Sequence, residues 1–130
     1  MSCSQSRAIG FTLIELLVVM AIVALLASIA APRYLRSVER AKENTLRTSL
    51  HVMRDAIDQH LADKRQYPAS LHDLAELRYL REVPIDPLTG NNASWIAVSP
   101  PPDAALRGGM ADVRSGAAGR AQDGSLYADW

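Results

Sequence analysis

One apolar segment limits what this chain can fold into. From Leu16 to Ala31 the sequence contains no charged residue, and its one hydroxyl side chain is Ser28. Counted from Phe11, the run reaches the roughly 20 residues that a helix needs to cross about 30 Å of hydrocarbon. A surface helix of a soluble protein would show a polar face, and none can be drawn here. We therefore predict a membrane-spanning helix over residues 11–31.

A cleaved secretory signal peptide is the alternative interpretation of this segment. A basic residue, Arg7, followed by an apolar run is the general form of such a signal. The apolar part of a secretory signal is only about 7–15 residues long and ends at a small-residue cleavage site. This run is longer and continues into a helical sequence, so we expect it to stay in the protein.

Charge and cysteine content restrict the partners. The 130 residues include 14 basic and 14 acidic side chains, so the formal net charge is zero. No block of Lys and Arg and no interleaving of basic with aromatic residues indicates a nucleic-acid surface, so we expect no nucleic acid as a partner. Cys3 is the single cysteine, and the chain therefore has no intrachain disulfide.

The residues from Gly10 to Glu15 read Gly-Phe-Thr-Leu-Ile-Glu. This motif resembles the prepilin cleavage site of type IV pilins and of the pseudopilins of type II secretion systems. The resemblance implies that a prepilin peptidase removes residues 1–10 as a leader, cutting between Gly10 and Phe11, and methylates the new amine of Phe11. A glycine suits the cut because a peptidase must approach the backbone closely. Pro32 lies where this family has a helix-interrupting proline, which would kink the helix without ending it.

Glu15 is a carboxylate at the front edge of the apolar segment, where it needs a partner. A charged side chain at the centre of a membrane helix costs about 2.5–3.5 kcal/mol on insertion scales, and less near the boundary. Cleavage would give Phe11 a positive amine, four residues before Glu15 and on the same helix face. In a helical filament the amine of one subunit could equally approach Glu15 of its neighbour. We predict that Glu15 sets subunit register; an acid at headgroup level with no partner is the alternative.

The charge distribution and the resemblance predict opposite orientations for the membrane span. Arg7 precedes the span, whereas five basic residues follow it: Arg33, Arg36, Arg40, Lys42 and Arg47. The positive-inside rule would place the C-terminal side in the cytoplasm. The resemblance implies a single-pass protein of the bacterial inner membrane with its C-terminal head in the periplasm. We follow the resemblance because the motif is more specific than a charge count.

Residues 32–65 are predicted to continue the same helix as an amphipathic segment. The apolar residues recur at steps of four, three, four and four: Leu46, Leu50, Met53, Ile57 and Leu61. Glu43 precedes Arg47, and Arg54 precedes Asp58, each by four residues. These spacings predict two ion pairs on a solvated flank.

Residues 66–130 are predicted to form a small globular head. Ser70 followed three residues later by Asp73 is a capping-box arrangement, and it begins a short helix whose apolar side would hold Leu71, Leu74 and Leu77. Two strands are expected within residues 95–99 and 110–115, and a possible third at Ser125–Tyr127 after an Asp123-Gly124 hairpin turn. The predicted fold class is α+β, resembling pilins: a long N-terminal helix packed by a short helix and a small antiparallel sheet.

The head also resembles that of the major pseudopilin of type II secretion, in which a calcium ion is held by the C-terminal loop. The resemblance maps this loop to residues 115–129, with Asp123 as the first candidate ligand and Asp112 and Asp129 as further candidates. This chain reads SGAAGRAQDG where the family has an acid soon after the serine. Calcium takes six to eight oxygen ligands. A plain Asp-Gly turn is therefore the alternative to a calcium site.

No catalytic motif is found in the sequence. HExxH, GxSxG, a paired CxxC and a phosphate-binding glycine loop do not occur. His51 and Asp55 are four residues apart, as metal ligands can be, but the sequence places no third ligand beside them. We expect them to be a solvated pair.

The resemblance implies a structural subunit with no enzymatic activity, which assembles into a periplasmic pseudopilus that supports protein export. The implied partners are the prepilin peptidase, further copies of the chain, other pseudopilins, the inner-membrane assembly platform and membrane lipid. Two alternatives stay open: a major or minor type IV pilin for adhesion, motility or DNA uptake, and a membrane-anchored enzyme or adaptor that shares the leader.

Overall fold

The structure is a computed structural model, which describes residues 9–106 and 108–130. Its elements in chain order are α1 (Leu13–Lys64), α2 (Leu71–Glu76), β1 (Ile96–Val98), β2 (Asp112–Arg114) and a 3-10 helix (Tyr127–Asp129). The chain divides into two compact units, with the division between Val38 and Glu39. The α+β organisation predicted from the sequence is confirmed.

In the first unit, α1 begins at Leu13, just after the expected start at Phe11. The hydroxyl of Thr12 accepts a hydrogen bond from the backbone N–H of Glu15 at 3.2 Å. This contact satisfies one of the N–H groups that the first helical turn leaves without a partner. The helix therefore has a local capping signal at its start, which the sequence reading did not identify.

The apolar part of α1 is exposed along its whole length. No residue from Ile9 to Ser37 is buried. Within the part of the chain that the structure describes, α1 is the one helix long and apolar enough to cross a membrane. Such a surface requires lipid or other protein around it, because a large apolar patch is unfavourable in water.

The second unit has its own core, built on one face of α1. The buried side chains of α1 are Leu46, Leu50, Met53, Ala56, Ile57 and His60. They pack with Leu74, Leu80, Met110 and Val113 from the rest of the unit. The predicted stripe is correct up to Ile57, but Leu61 is only half-buried. After Ile57 the buried face continues by a step of three to His60, as a period of 3.6 residues allows.

The short helix α2 begins as the sequence predicts. The side chain of Ser70 caps it by accepting the N–H of Asp73 at 3.2 Å. Leu74 is fully buried, and Leu71 packs against the core. The third predicted apolar residue, Leu77, is wrong as a core position, because α2 ends at Glu76 and Leu77 is the C-cap, 48% exposed.

The end of α2 is a Schellman motif. The N–H of Tyr79 bonds to the carbonyl of Leu74 at 2.9 Å, and the N–H of Arg78 bonds to the carbonyl of Ala75 at 3.2 Å. Arg78 has φ +65°, the left-handed conformation that this motif requires and that glycine adopts most easily.

The sheet has two antiparallel strands. Ile96 pairs with Arg114, Ala97 with Val113 and Val98 with Asp112. Val113 is fully buried against α1, so the middle of β2 anchors the sheet in the core. Both strands lie where the sequence predicted them.

The third strand predicted at Ser125–Tyr127 is wrong, although the Asp123-Gly124 turn is correct. Gly124 has φ +89°, and its N–H bonds to the carbonyl of Ala121 at 3.0 Å. Pairing past this turn is limited to an isolated antiparallel bridge between Arg120 and Leu126. Tyr127 begins a 3-10 helix instead, and its hydroxyl donates to Glu43 of α1 at 2.9 Å.

Candidate functional site

The predicted cleavage site lies immediately before α1. Gly10 and Phe11 precede the helix, and a side chain added at Gly10 would have nothing within 4 Å. Phe11 is 82% exposed. Among residues 9–106 and 108–130, the side-chain positions on both sides of this peptide bond are therefore open. Residues 1–8, most of the predicted leader, lie outside the described residues.

Glu15 lies in the first turn of α1. A carboxylate here is favoured by the helix dipole, whose positive end is at the N-terminus. Together with Thr12, three residues earlier, it also matches the sequence pattern of a capping box. The opening residues of α1 thus give Glu15 a local stabilising role in addition to the pairing with the Phe11 amine, which stays a prediction.

Pro32 lies inside α1, and the helix continues past it, as predicted. A proline has no backbone N–H, so the carbonyl of Ser28 loses its helical partner four residues on. The hydroxyl of Ser28 donates to the carbonyl of Ala24 at 2.8 Å. The backbone around Pro32 is therefore less fully hydrogen-bonded than the rest of α1, and the predicted kink at this residue stays a prediction.

The C-terminal segment, residues 117–130, is held by polar side chains of α1. The carboxylate of Glu43 accepts the N–H of Gln122 and the hydroxyl of Tyr127, each at 2.9 Å. The guanidinium of Arg47 lies 3.9 Å from the ring centroid of Trp130 and 3.6 Å from the carboxylate of Asp123. The predicted ion pair between Glu43 and Arg47 is therefore wrong, because each of the two side chains contacts the C-terminal segment.

Arg54 makes the most extensive of these contacts. Its Nε donates to Asp112 Oδ1 at 2.8 Å, and its Nη2 donates to the carbonyl of Val113 at 3.0 Å and to the backbone oxygen of Trp130. The predicted pair of Arg54 with Asp58 is therefore wrong. A spacing of four residues identifies neighbours on a helix surface, but it carries no information about a strand and a terminus that pack on the same face.

Two groups in this region have shifted pKa values. The side-chain hydroxyl of Ser125 donates to Asp123 at 2.6 Å and lowers the pKa of that carboxyl, with the N–H of Ser125 and nearby Arg47 adding to the effect. Burial raises the pKa of the Tyr127 hydroxyl, and its hydrogen bond to Glu43 raises it further. The Asp123 carboxylate is thus held in its charged form and the Tyr127 phenol in its neutral form.

The three candidate calcium ligands lie at different places. Asp112 is at the start of β2 and pairs with Arg54, Asp123 is in the tight turn and faces Arg47, and Asp129 is exposed at the end of the 3-10 helix. No group of three His, Cys, Asp or Glu side chains that could hold a metal occurs among residues 9–106 and 108–130.

One buried polar pair was missed by the sequence reading. Asp86 and Ser115 are both fully buried, and the Ser115 hydroxyl donates to Asp86 Oδ2 at 2.5 Å. The other oxygen of Asp86 accepts the N–H groups of Leu88 at 2.9 Å and Thr89 at 3.4 Å. Asp86 is the first residue of the sequence DPLTGNN, from which a turn was predicted. That sequence gives no sign of the contact with Ser115, which follows β2 much later in the chain.

The histidines are accounted for by structural contacts. His51 lies 3.4 Å from Asp55, and His72 lies 3.0 Å from Glu76; all four side chains are exposed. The solvated pairing expected for His51 is confirmed. The ring of buried His60 is 2.9 Å from the carbonyl of Gln66.

Residues 5–31 match the family model of the prokaryotic N-terminal methylation motif. The chain is also 28% identical over 104 residues to the type II secretion system core protein G of Pseudomonas aeruginosa, which covers 68% of this chain and 72% of that protein. It is 38% identical over 58 residues to the type IV major pilin protein PilA of Myxococcus xanthus, covering 45% of this chain and 26% of the pilin.

A further pilin is similar to this chain over a segment of almost the same length. The type IV major fimbrial protein FimA of Dichelobacter nodosus is 40% identical over 57 residues, 44% of this chain and 36% of that protein. The chain thus spans well under two thirds of either pilin's length. No solved structure matches it.

Proposed function

Because the chain is a pilin-like protein homologous to core protein G of type II secretion systems and to type IV pilins, we propose that it is a structural subunit of a type II secretion pseudopilus. In this role it supports protein export by assembling and carries out no catalysis of its own. The proposal covers its processing, its membrane insertion and its polymerisation.

The extent of similarity supports the pseudopilus over the pilus. The alignment with core protein G covers 68% of the chain, whereas the alignments with the two pilins cover 45% and 44%. The pilin leader and first helix are shared by both classes of protein, so similarity beyond them is the more informative part. This observation carries the choice of secretion system.

Processing would begin at the Gly10–Phe11 bond. The exposed position of Phe11 before the helix lets a prepilin peptidase reach the backbone. Cleavage and methylation would leave a positive secondary amine at the start of the helix. Until assembly, the exposed apolar side chains of α1 would lie in the lipid of the inner membrane, with the head in the periplasm.

Assembly would transfer this apolar surface from lipid to neighbouring copies of α1. Glu15 then pairs with the Phe11 amine of its own subunit or of a neighbour. A carboxylate in an apolar filament core is costly unless it is paired, so subunits at the wrong height would leave it unsatisfied. In this way one acid would set the register of the filament. The assembly platform and other pseudopilins would be further partners of the chain.

The test is N-terminal sequencing and intact mass of the chain from membranes of cells that contain a prepilin peptidase, with a strain lacking the peptidase as the control. We expect a mature chain that begins at methylated Phe11 in the first strain only. The gene is then deleted. Loss of exported proteins from the medium supports the pseudopilus, and normal export would contradict it.

A type IV pilin for adhesion, motility or DNA uptake is the second candidate. The identity to PilA and FimA is higher, at 38% and 40%, and this favours a pilin. Those two alignments cover a shorter region of the chain than the alignment with core protein G. Electron microscopy of intact cells distinguishes the two. Surface filaments that contain this chain, together with normal protein export, would replace the first proposal by the second.

The register function of Glu15 predicts that Glu15→Ala prevents stable incorporation into filaments while processing at Gly10 continues. Ser28→Ala is the matched control, since it also changes one polar residue of the span but removes no charge. Sheared or purified filaments from cells that produce both wild-type and variant chains measure the incorporated fraction. Equal incorporation of Glu15→Ala and wild type would refute the register role.

A further inference from the structure

The donor oxygens in and beside the C-terminal segment do not fit the calcium ion that the resemblance implies. Asp112 Oδ1 already accepts Arg54 Nε and the N–H of Val113, each at 2.8 Å. Asp123 Oδ1 accepts the N–H and hydroxyl of Ser125 at 2.9 and 2.6 Å, and its Oδ2 faces Arg47 at 3.6 Å. Calcium takes six to eight oxygens, and each of these contacts competes with the place of a carboxylate oxygen in such a shell.

The two arginines also oppose a metal by their charge. A guanidinium stays protonated in proteins, so a calcium ion bound to Asp112 or Asp123 would stand beside a permanent positive charge. Solvent screens that repulsion less at the Arg54–Asp112 pair, whose side chains are 35% and 38% exposed, than at the more exposed Arg47–Asp123 pair. The positions that would attract a cation to these carboxylates are occupied by the side chains of α1.

We propose that Arg54, supported by Arg47, takes the structural place of the metal, so that the head of this chain folds and assembles without calcium. One guanidinium then joins three parts of the head, namely α1, β2 and Trp130. A bound metal would cross-link loop and core in the same way. The inference concerns the head alone and holds for a pseudopilin or a pilin.

Arg54 is the more important of the two because it is less exposed and donates three hydrogen bonds. The side chains of Arg54 and Asp112 are 35% and 38% exposed, and Arg54 also reaches two backbone oxygens. A planar guanidinium with several N–H donors suits this set of acceptors, and a lysine would satisfy fewer of them. The pair of Arg47 with Asp123 is 58% and 60% exposed, where ion pairs contribute little, so its stacking on Trp130 is its main contribution.

The first experiment measures the thermal unfolding of the full chain in detergent, followed by tryptophan fluorescence, with millimolar calcium and with a chelator. We expect the same midpoint in both. Calorimetric titration with calcium should show no saturable binding in the micromolar range. A midpoint that rises by several degrees with calcium, or tight stoichiometric binding, would overturn the proposal.

The second experiment compares Arg54→Ala with Arg81→Ala, an exposed arginine used as the control. Arg54→Ala should lower the midpoint by about 4–8 °C or more, equally with calcium and with chelator, and Arg81→Ala should leave it unchanged. An unchanged midpoint for Arg54→Ala would overturn the proposal. If that variant does not fold, the calcium titration of the wild type and the smaller loss expected for Arg47→Ala decide the matter. N-terminal processing is measured separately, so failure here leaves the proposed function standing.

Discussion

At the scale of single residues, the head is specified by buried and half-buried polar groups that all have partners. Among the described residues, no buried side-chain nitrogen or oxygen lacks a hydrogen-bond partner. Asp86 is the most demanding of them, because its carboxylate is fully buried and its partners among the described residues are the neutral donors of Ser115, Leu88 and Thr89. Such groups stabilise one arrangement of the chain by making every other arrangement costly.

Removing the Asp86 carboxylate should destabilise the head. We expect Asp86→Ala to lower the free energy of unfolding by about 3 kcal/mol and Ser115→Ala by about 1–3 kcal/mol, because each leaves buried donors or acceptors unsatisfied. Urea unfolding followed by tryptophan fluorescence measures both. The double variant should lose less than the sum of the two, and a strictly additive loss would show that the pair does not act as one unit.

A pH effect is expected at Tyr79. Its hydroxyl donates to Asp63 at 2.8 Å, and this hydrogen bond raises the pKa of Tyr79 above the ordinary value of 10.0. The hydrogen bond therefore contributes fully to stability below the ordinary, unfolded pKa of 10.0. Its contribution is lost as the pH rises through the folded pKa. Stability should therefore fall above about pH 10, and less steeply in Asp63→Asn. Urea midpoints on either side of pH 10 test this, with Tyr79→Phe as the control; identical slopes for wild type and Asp63→Asn would contradict it.

At the scale of elements, the starts of α1 and α2 are encoded locally, whereas the ends of elements and their neighbours depend on more distant residues. Ser70 caps α2 as its spacing from Asp73 predicts, and the stripe on α1 is correct over four of its five positions. The missed features are non-local. Tyr127 hydrogen-bonds to a glutamate far back on α1 in place of pairing in a strand. Arg78 ends α2 in a left-handed conformation that is typical of glycine and that an arginine does not predict.

Arg78 offers a stabilising substitution. A non-glycine residue in the left-handed region costs about 1–2 kcal/mol. Glycine avoids this strain, but it loses more conformational entropy on folding, which offsets part of the stabilisation. We expect Arg78→Gly to raise the free energy of unfolding by about 0.5–1 kcal/mol. Arg78→Ala is the control, since it removes the same side chain and keeps the strain. Equal stabilities of the two variants in urea unfolding would mean that backbone conformation is not the cause.

At the scale of the whole molecule, sequence reading identified the class of protein better than the arrangement of its head. The motif from Gly10 to Glu15 and the apolar run are contiguous, so their meaning is present in the order of residues. The contacts of Glu43, Arg47 and Arg54 join residues far apart in the chain, and no local period predicts them. Asp112 and Asp123 became candidate metal ligands through the resemblance, and the arginines that face them come from another element, α1.

The division of the chain predicts that residues 39–130 fold without the first unit. All of the buried core side chains, from Leu46 to Val113, lie in this part. We expect cooperative thermal unfolding and a well-defined near-ultraviolet circular dichroism spectrum from this fragment. The same fragment with Arg54→Ala is the comparison and should unfold at a lower temperature. A fragment without cooperative unfolding would mean that the first unit is needed for the core.

The contacts between α1 and the last residues also set when the head can form. Glu43 bonds to Tyr127 across 84 positions, and Arg54 bonds to Trp130 across 76. Because each of these contacts closes a long loop, the conformational entropy lost on closure slows its formation. The head is therefore expected to close as one unit, with the contacts between α1 and residues 122–130 among the last to form.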